Sequence, residues 1–252
     1  RSGIESDFAA VFRANLGQLY QREGQLDPAA IYLRQALSGF GRGGYVEGQV
    51  LGDLGATYFM RGDLDSALVY LQRARDLHRQ IGYGRGQARD ADRIGTVLLM
   101  QGEADSAFSA YRAAEQFYRQ SLDRRGLAGT LGNLGNAHFD QGHLERALVA
   151  YEESLALHRQ GGDESSQAAL LERIGQIHRQ QGRLQGAGDV YRLALEIHRR
   201  QGDGDRQASA VATIGHIYQE QARFDSALAA FQTALALYQQ HQSHPAALAG
   251  QL

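Results

Sequence analysis

The sequence has no cysteine, no lysine and no tryptophan, and only 2 prolines. Without Cys there is no disulfide framework, no thiolate zinc site and no Cys nucleophile. A Cys-free chain is allowed in any compartment, and the cytoplasm is the default expectation. Without Lys no Walker loop can be completed; all 26 basic residues are Arg, which reads as codon usage of a GC-rich genome. Those 26 stand against 28 acidic residues, for a net charge of −2. No positive field is available to condense on phosphate backbones or anionic lipid, so neither nucleic acid nor a membrane is expected as partner. Apolar runs such as Thr96-Val97-Leu98-Leu99-Met100 fall far short of the roughly 20 residues a bilayer span needs. No signal-peptide core follows the opening Arg1-Ser2-Gly3. Scarce Pro permits long helices, and 31 Gly at regular places would mark turns or close helix contacts.

A long-period repeat organises the chain. A Leu/Ile-Gly pair recurs with its glycine at Gly17, Gly55, Gly95, Gly135, Gly175 and Gly215, at spacings of 38 and then 40 four times. Seven residues on lies a second glycine, Gly24, Gly62, Gly102, Gly142 or Gly182, replaced by Ala222 in the last copy. Ala29, Ala67, Ala107, Ala147, Ala187 and Ala227 follow. At helical spacing come Leu33, Leu71, Tyr111, Tyr151, Tyr191 and Phe231, and then Ala36, Ala74, Ala114, Ser154, Ala194 and Ala234. Small and large residues alternating at such spacings describe interlocking helices with closely approaching backbones.

Each unit reads as two helices. The first ends at its second glycine, which tolerates the left-handed conformation. The second is expected to start at an N-cap carboxylate, in Asp27-Pro28, Asp65-Ser66, Asp105-Ser106 and Asp225-Ser226, with Pro28 at the first helical position. Asp123, Asp163 and Asp203 are expected to cap first helices, with Gly82, Gly126, Gly161, Gly162 and Gly202 near the breaks. Period-two alternation is absent, so an all-α chain is expected.

The pattern Leu-Gly-x-x-Tyr followed by Ala-x-x-x-Phe, as in Leu54-Gly55-Ala56-Thr57-Tyr58, resembles the tetratricopeptide repeat in all six units. It departs by lacking Trp and the terminal Pro, and by a period of 40 instead of 34. The resemblance implies a right-handed α-solenoid of six tandem helix-turn-helix units, approximately 10–47, 48–87, 88–127, 128–167, 168–207 and 208–247. Long-period arrays of this kind are similar to spindle-orientation scaffolds, kinesin light chains and bacterial multidomain regulators with nucleotide-binding switch or caspase-like domains. Register places Arg1-Ser2-Gly3 on the tail of a second helix and lets Pro245 open a seventh first helix, so a piece of a longer array is expected.

In this family partners bind the concave face lined by first helices. By resemblance its exposed positions are two before the repeat glycine (Asn15, Asp53, Arg93, Asn133, Arg173, Thr213), one after it (Gln18, Ala56, Thr96, Asn136, Gln176, His216) and four after it (Gln21, Phe59, Leu99, Phe139, Arg179, Gln219). Asn133 with Asn136 offers donors and acceptors to an extended peptide backbone; a solvated polar face is the alternative. Arg93 and Arg173 either meet a partner or pair with Asp92, Asp53 or Glu172. Phe59, Leu99 and Phe139 form an apolar stretch beside Met60 and Met100, flanked by Arg89, Arg93 and Arg173; they suit a hydrophobic anchor with acidic neighbours, or pack between first helices.

Other motifs reduce to structure. The column three before the repeat glycine is Ala14, Gly52, Asp92, Gly132, Glu172 and Ala212, without the basic residue that a chaperone-tail carboxylate clamp requires. His78, His158 and His198 share a column with Tyr118 and Tyr238 near second-helix ends, a place for flat rings where a helix C-terminus favours cationic His. His138 and His178 replace the repeat Tyr, and His241-x-x-His244 lacks converging ligands, so no metal is expected. Gly39-Phe40-Gly41-Arg42-Gly43-Gly44 matches a dinucleotide fingerprint but joins two helices, where a loop explains it. No catalytic motif is present, and neither an enzyme nor a cofactor is expected.

The expected function is a scaffold or sensor array that binds a protein or peptide segment in its groove and regulates covalently linked domains outside this sequence. The alternatives are a receptor whose superhelix closes on a short signalling peptide or small effector, and a self-associating array.

Overall fold

The computed structural model describes residues 2–40 and 44–242, with side chains described from residue 8 to residue 241. Among them lie twelve α-helices and no strand: α1 (Ser2–Arg22), α2 (Leu26–Leu37), α3 (Tyr45–Met60), α4 (Leu64–Gln80), α5 (Gly84–Met100), α6 (Ala104–Gln120), α7 (Arg124–Asp140), α8 (Leu144–Gly161), α9 (Glu164–Gln180), α10 (Leu184–Gln201), α11 (Gly204–Glu220) and α12 (Phe224–Gln242). The seventh first helix expected from Pro245, the partner His244 of His241, and Gly41 to Gly43 of the glycine-rich segment lie outside the described residues. No described helix is long and apolar enough to cross a membrane.

The helices form two compact units, residues 1–137 and 138–252. In the first, α1/α2, α3/α4 and α5/α6 are tight antiparallel pairs, and α2 also packs on α3 and α4 on α5. In the second, α9/α10 and α11/α12 repeat this plan, with α8 packed on α9 and α10 on α11. Each unit is therefore a stack of helix hairpins, the solenoid class expected from the repeat.

Pairing rests on the repeat glycine. A Cβ on Gly55 would stand 2.6 Å from Leu71 Cγ and 3.2 Å from the Ala67 carbonyl oxygen, so the large side chain of α4 lies directly on the α3 backbone. Gly17 meets Leu33, Gly95 meets Tyr111, Gly175 meets Tyr191 and Gly215 meets Phe231 in the same way. Ala29, Ala67, Ala107, Ala147 and Ala187, the small residues one turn earlier, are fully buried. Around these contacts Leu51 packs with Ala74 and Leu77 in the first unit. In the second, Tyr151 and Leu155 pack with Leu171, Ile174 and Ile177, and Tyr191 and Leu195 with Val211, Ile214 and Ile217.

The turns follow the glycine pattern with one correction. Gly62 has φ +81°, its N–H donates to the Phe59 carbonyl (2.9 Å), and the Asp63 N–H donates to the Tyr58 carbonyl (3.0 Å). This closes the helix with the paired bonds of a left-handed C-terminal turn. Because the turn is so short, α2, α4 and α6 begin two residues earlier than expected, with Gln25, Asp63 and Glu103 as N-caps. Asp27, Asp65, Asp105 and Asp225 are therefore not caps; they sit in first turns, where a carboxylate favours the helix dipole. Pro28 is at the third helical position, whose N–H has no intrahelical partner in any case. Asp63 itself caps α4, accepting from the Ser66 N–H at 3.0 Å. The first-helix caps are as expected: Asp123, Asp163 and Asp203 accept from the N–H groups of Gly126, Ser166 and Arg206 at 3.0, 3.1 and 3.0 Å. Gly126, near the α6–α7 break as expected, is the third residue of α7 and lies against the Tyr118 ring.

Two L-residues occupy left-handed turn positions, Leu122 (φ 55°) and Ala222 (φ 56°). Leu122 is also 84% exposed, so its side chain gains little burial to offset the strain. Leu122→Gly is expected to stabilise the chain by about 1 kcal/mol. Gly55→Ala, which drives a methyl into Leu71, is expected to destabilise it by about 1–3 kcal/mol. Urea unfolding of both variants checks the pair of signs.

Candidate functional site

In the first unit, the polar positions of the first helices bond to one another from repeat to repeat. Gln18 Nε2 on α1 donates to Asp53 Oδ2 on α3 at 2.7 Å, and Gln21 Nε2 donates to Thr57 Oγ1 at 3.2 Å. Arg93 Nη1 on α5 donates to the Gly52 carbonyl at 3.0 Å and stands 3.8 Å from Asp53 Oδ1. Asn133 Nδ2 on α7 donates to Asp92 Oδ2 at 3.0 Å. Thr96 donates to the Asp92 carbonyl and accepts from the Tyr111 hydroxyl, at 3.2 and 3.0 Å. Of the residues marked for partner contact, Asp53, Arg93 and Asn133 thus form an internal ladder, while Thr96 bonds within α5 and to Tyr111 on α6. Asn15 is exposed on α1, and Asn136 is half-buried on α7.

A buried charge cluster lies beneath the ladder. His78 Nδ1 on α4 is 2.5 Å from Asp90 Oδ2 on α5, and both side chains are fully buried. Arg89 Nε stands 3.7 Å from Asp90 Oδ1. Two glycines make the room: a Cβ on Gly48 would stand 2.5 Å from His78 Nε2, and one on Gly52 would stand 3.2 Å from Asp90 Oδ1. Asp90 was not among the residues marked from the sequence, and Asp92 was named only as a pairing partner for Arg93. The signal for Asp90 was its column, five before the repeat glycine, where Val50, Leu170 and Ala210 are buried and apolar.

Burial sets the electrostatics. It pushes the Asp92 carboxyl above its ordinary value, while Asn133 and Arg93 pull the other way. It pulls the Arg93 guanidinium down, an effect reinforced by the Arg89 charge and opposed by Asp53 and Asp90. Burial also pushes the Tyr118 hydroxyl up to about 12.

The apolar candidates divide. Phe59 and Leu99 are half-buried, and the exposed neighbours are Met60 and Met100. In the second unit Phe139 packs against the core of Tyr151, Leu155 and Leu171, which is the structural alternative for that residue.

The second unit has an open polar pocket of about 400 Å³ between α9 and α11. Arg173, Gln176, Tyr191, Arg206, Ser209 and Thr213 contribute to its lining. Arg173 is exposed, and among the described residues no carboxylate lies in ion-pair distance of it. Its neighbour Glu172 instead faces His198, at 2.8 Å between Oε1 and Nε2. Arg206 Nε is 3.3 Å from Oδ2 of Asp203, the N-cap of its own helix. Burial raises the Tyr191 hydroxyl's pKa, and Glu172 acts in the same direction. Sequence reasoning marked Arg173, Gln176 and Thr213 as groove positions; it missed Arg206, whose column reads Gly86, Gly126 and Ser166 in earlier repeats.

The His column is structural, as expected: His78 and His198 are fully buried beneath acidic residues of first helices. His158 Nδ1 lies 3.2 Å from Asp163 Oδ2, across the following turn.

Asp92 gives a pH signature. A carboxyl whose pKa is raised by folding favours the native state most at low pH and loses that contribution as pH rises through the raised value. Asp92→Asn, which cannot ionise, is expected to melt higher than the parent at pH 7, with the difference shrinking as pH falls. Thermal melts of both proteins between pH 4 and 7 check the sign.

Comparison with known proteins agrees with the hairpin architecture. A tetratricopeptide repeat profile matches residues 46–120, 87–160 and 166–240, and a second one matches residues 10–38. No curated protein matches the sequence. Among solved structures, aspartyl phosphate phosphatase F from Bacillus subtilis is similar with a TM-score of 0.74 at 14% identity, over 95% of this chain and 72% of that one. BtubC (BKLC) from P. vanneervenii is similar with a TM-score of 0.70 at 18% identity, over 79% of this chain and 83% of that one. The Rap conjugation gene regulator of the plasmid pLS20, solved in complex with the Phr* peptide, gives 0.66 at 15% identity, over 95% of this chain and 76% of that one. At these identities the likeness is one of fold. With profile matches over most of its length, the chain belongs to the tetratricopeptide repeat family.

Proposed function

We propose that the chain is a non-catalytic binding array for a protein or peptide segment, held by the first-helix face and regulating domains joined to it. The observation that carries this reading is Arg173. Its counterpart in the first unit, Arg93, is held by the Gly52 carbonyl and Asp53, whereas Arg173 stands exposed at the edge of a polar pocket with Gln176 beside it. A guanidinium left in water beside hydroxyls and amides offers directed donors to a ligand's carbonyls or carboxylates. Asn15, Asn136 and Asn133 add polar contacts, and half-buried Phe59 and Leu99 with exposed Met60 and Met100 add apolar ones. Arg93, bonded to the Gly52 carbonyl and beside Asp53, takes the role of holding this face in shape.

A closing receptor for a short peptide is the second reading. It is favoured by the solved Rap regulator carrying the Phr* peptide, a similar fold that binds a peptide.

Selection of a random peptide library on the native chain tests the proposal. Arg173→Glu with Gln176→Ala is expected to weaken the selected peptides at least tenfold while leaving the thermal midpoint unchanged, since both positions lie outside the core. Asn133→Ala is expected to lower stability by about 1 kcal/mol through the lost bond to Asp92, because that carboxylate stays buried. Peptides indifferent to the Arg173 and Gln176 changes would overturn the groove assignment. Small-angle scattering separates the two readings: a receptor compacts on binding a short peptide, and an open scaffold keeps its radius.

A further inference from the structure

We propose that the first unit has a second docking groove, formed by its second helices, for an extended segment of about five residues with an acidic residue at one end, small apolar residues in the middle and a basic residue at the other end. This groove is separate from the first-helix face and does not depend on the reading given to that face.

The groove is a cavity of about 690 Å³ walled by α4 and α6 and floored by α5. It exists because α6 carries Ala110 and Ala113 where α4, one repeat earlier, carries Tyr70 and Arg73. The floor is apolar, with Ala88, Ala91, Ile94 and Leu98 forming its bottom. Its walls run from Leu68 to Arg79 on α4 and from Ser106 to Phe117 on α6. Eleven residue steps of helix span about 16 Å, the length of about five extended residues. An extended chain of that length reaches from one end of the groove to the other with its small side chains on the apolar floor, and is the occupant proposed.

Charge sets the ends. At the C-terminal end of α4, Arg75 and Arg79 share one carboxylate: Asp76 Oδ1 is 3.8 Å from Arg75 Nε and 4.0 Å from Arg79 Nη1. One positive charge is in excess there. Arg75 Nε is also shut off from solvent without a hydrogen-bond partner, a donor that lacks an acceptor. At the opposite end Glu103 precedes α6 as its N-cap residue, and its exposed side chain makes no capping bond. An acidic residue placed at Arg75 and Arg79, and a basic one at Glu103, match both ends at once, while small side chains between them cover the floor.

The experiment selects a random seven-residue peptide library, displayed on phage, against the native chain, and re-tests the enriched peptides against three variants. Ala110→Tyr with Ala113→Arg fills the groove using the side chains that the preceding pair already carries. Arg75→Gln with Arg79→Gln removes the cationic end without filling the groove. Arg173→Glu alters only the first-helix face. The expected result is a class of peptides containing Asp or Glu that binds at least tenfold more weakly to the filled variant and to the Arg75/Arg79 variant, and equally well to Arg173→Glu. Should filling impair folding, as read by thermal melts, the Arg75/Arg79 variant decides alone. The groove is overturned if no enriched peptide is weakened by either groove variant, or if those that are weakened carry no acidic residue. Peptides sensitive only to Arg173→Glu would leave the first-helix reading standing and remove this one.

Discussion

The structure depends on one contact repeated along the chain: the backbone of a first helix lying against a large side chain of its partner, with glycine at the point of approach. Leu71 over Gly55 and Tyr191 over Gly175 leave no space for a methyl group. The glycine carries an intrinsic helix penalty, offset because close approach lets a whole leucine or tyrosine leave water. Everything else in the hairpin follows from that distance. Alanines one turn away are fully buried because nothing larger fits, and the left-handed turn is tight because the helices it joins are close.

Close packing also explains where the charges lie. Successive first helices stand near enough for short polar side chains to bridge them, as Gln18 does to Asp53 and Asn133 to Asp92. In the first unit this bridging extends inward to His78 and Asp90, a pair that is admitted because Gly48 and Gly52 leave the room. Removing either partner would leave the other's polar atom buried without a bond. The second unit resolves the same geometry differently. His198 engages Glu172, and Arg173 remains turned to solvent beside a pocket. Two arginines at the same repeat position therefore have different chemistry, one as a structural clamp and the other as an available donor.

Much of the fold was legible in the residues. Gly-to-large-residue pairing, the alanine columns, the left-handed glycines and the caps at Asp123, Asp163 and Asp203 all follow from local rules, and the structure has them. The second-helix caps were misplaced by two residues because Asp-Ser and Asp-Pro are strong capping signals, while the turn itself is too short to leave Leu64 or Leu26 outside the helix. The site was less legible. Asn133 and Arg93 have the side chains of ligand contacts, and only the position of the preceding helix shows that Asp92 and Gly52 already hold them.

Periodicity by itself determined the helices, their pairing and their order, because those depend on residue size at fixed helical spacing within one repeat. What tertiary structure decided was which polar groups are free. That depends on distances between residues about 40 positions apart, such as Arg93 and Gly52, and on spaces opened by a small residue in a different helix, such as the one beside Ala110 and Ala113. Hydrogen bonds and ion pairs fall off over fractions of an ångström to a few ångströms, so a repeat pattern that fixes helical faces leaves their partners to the packed chain.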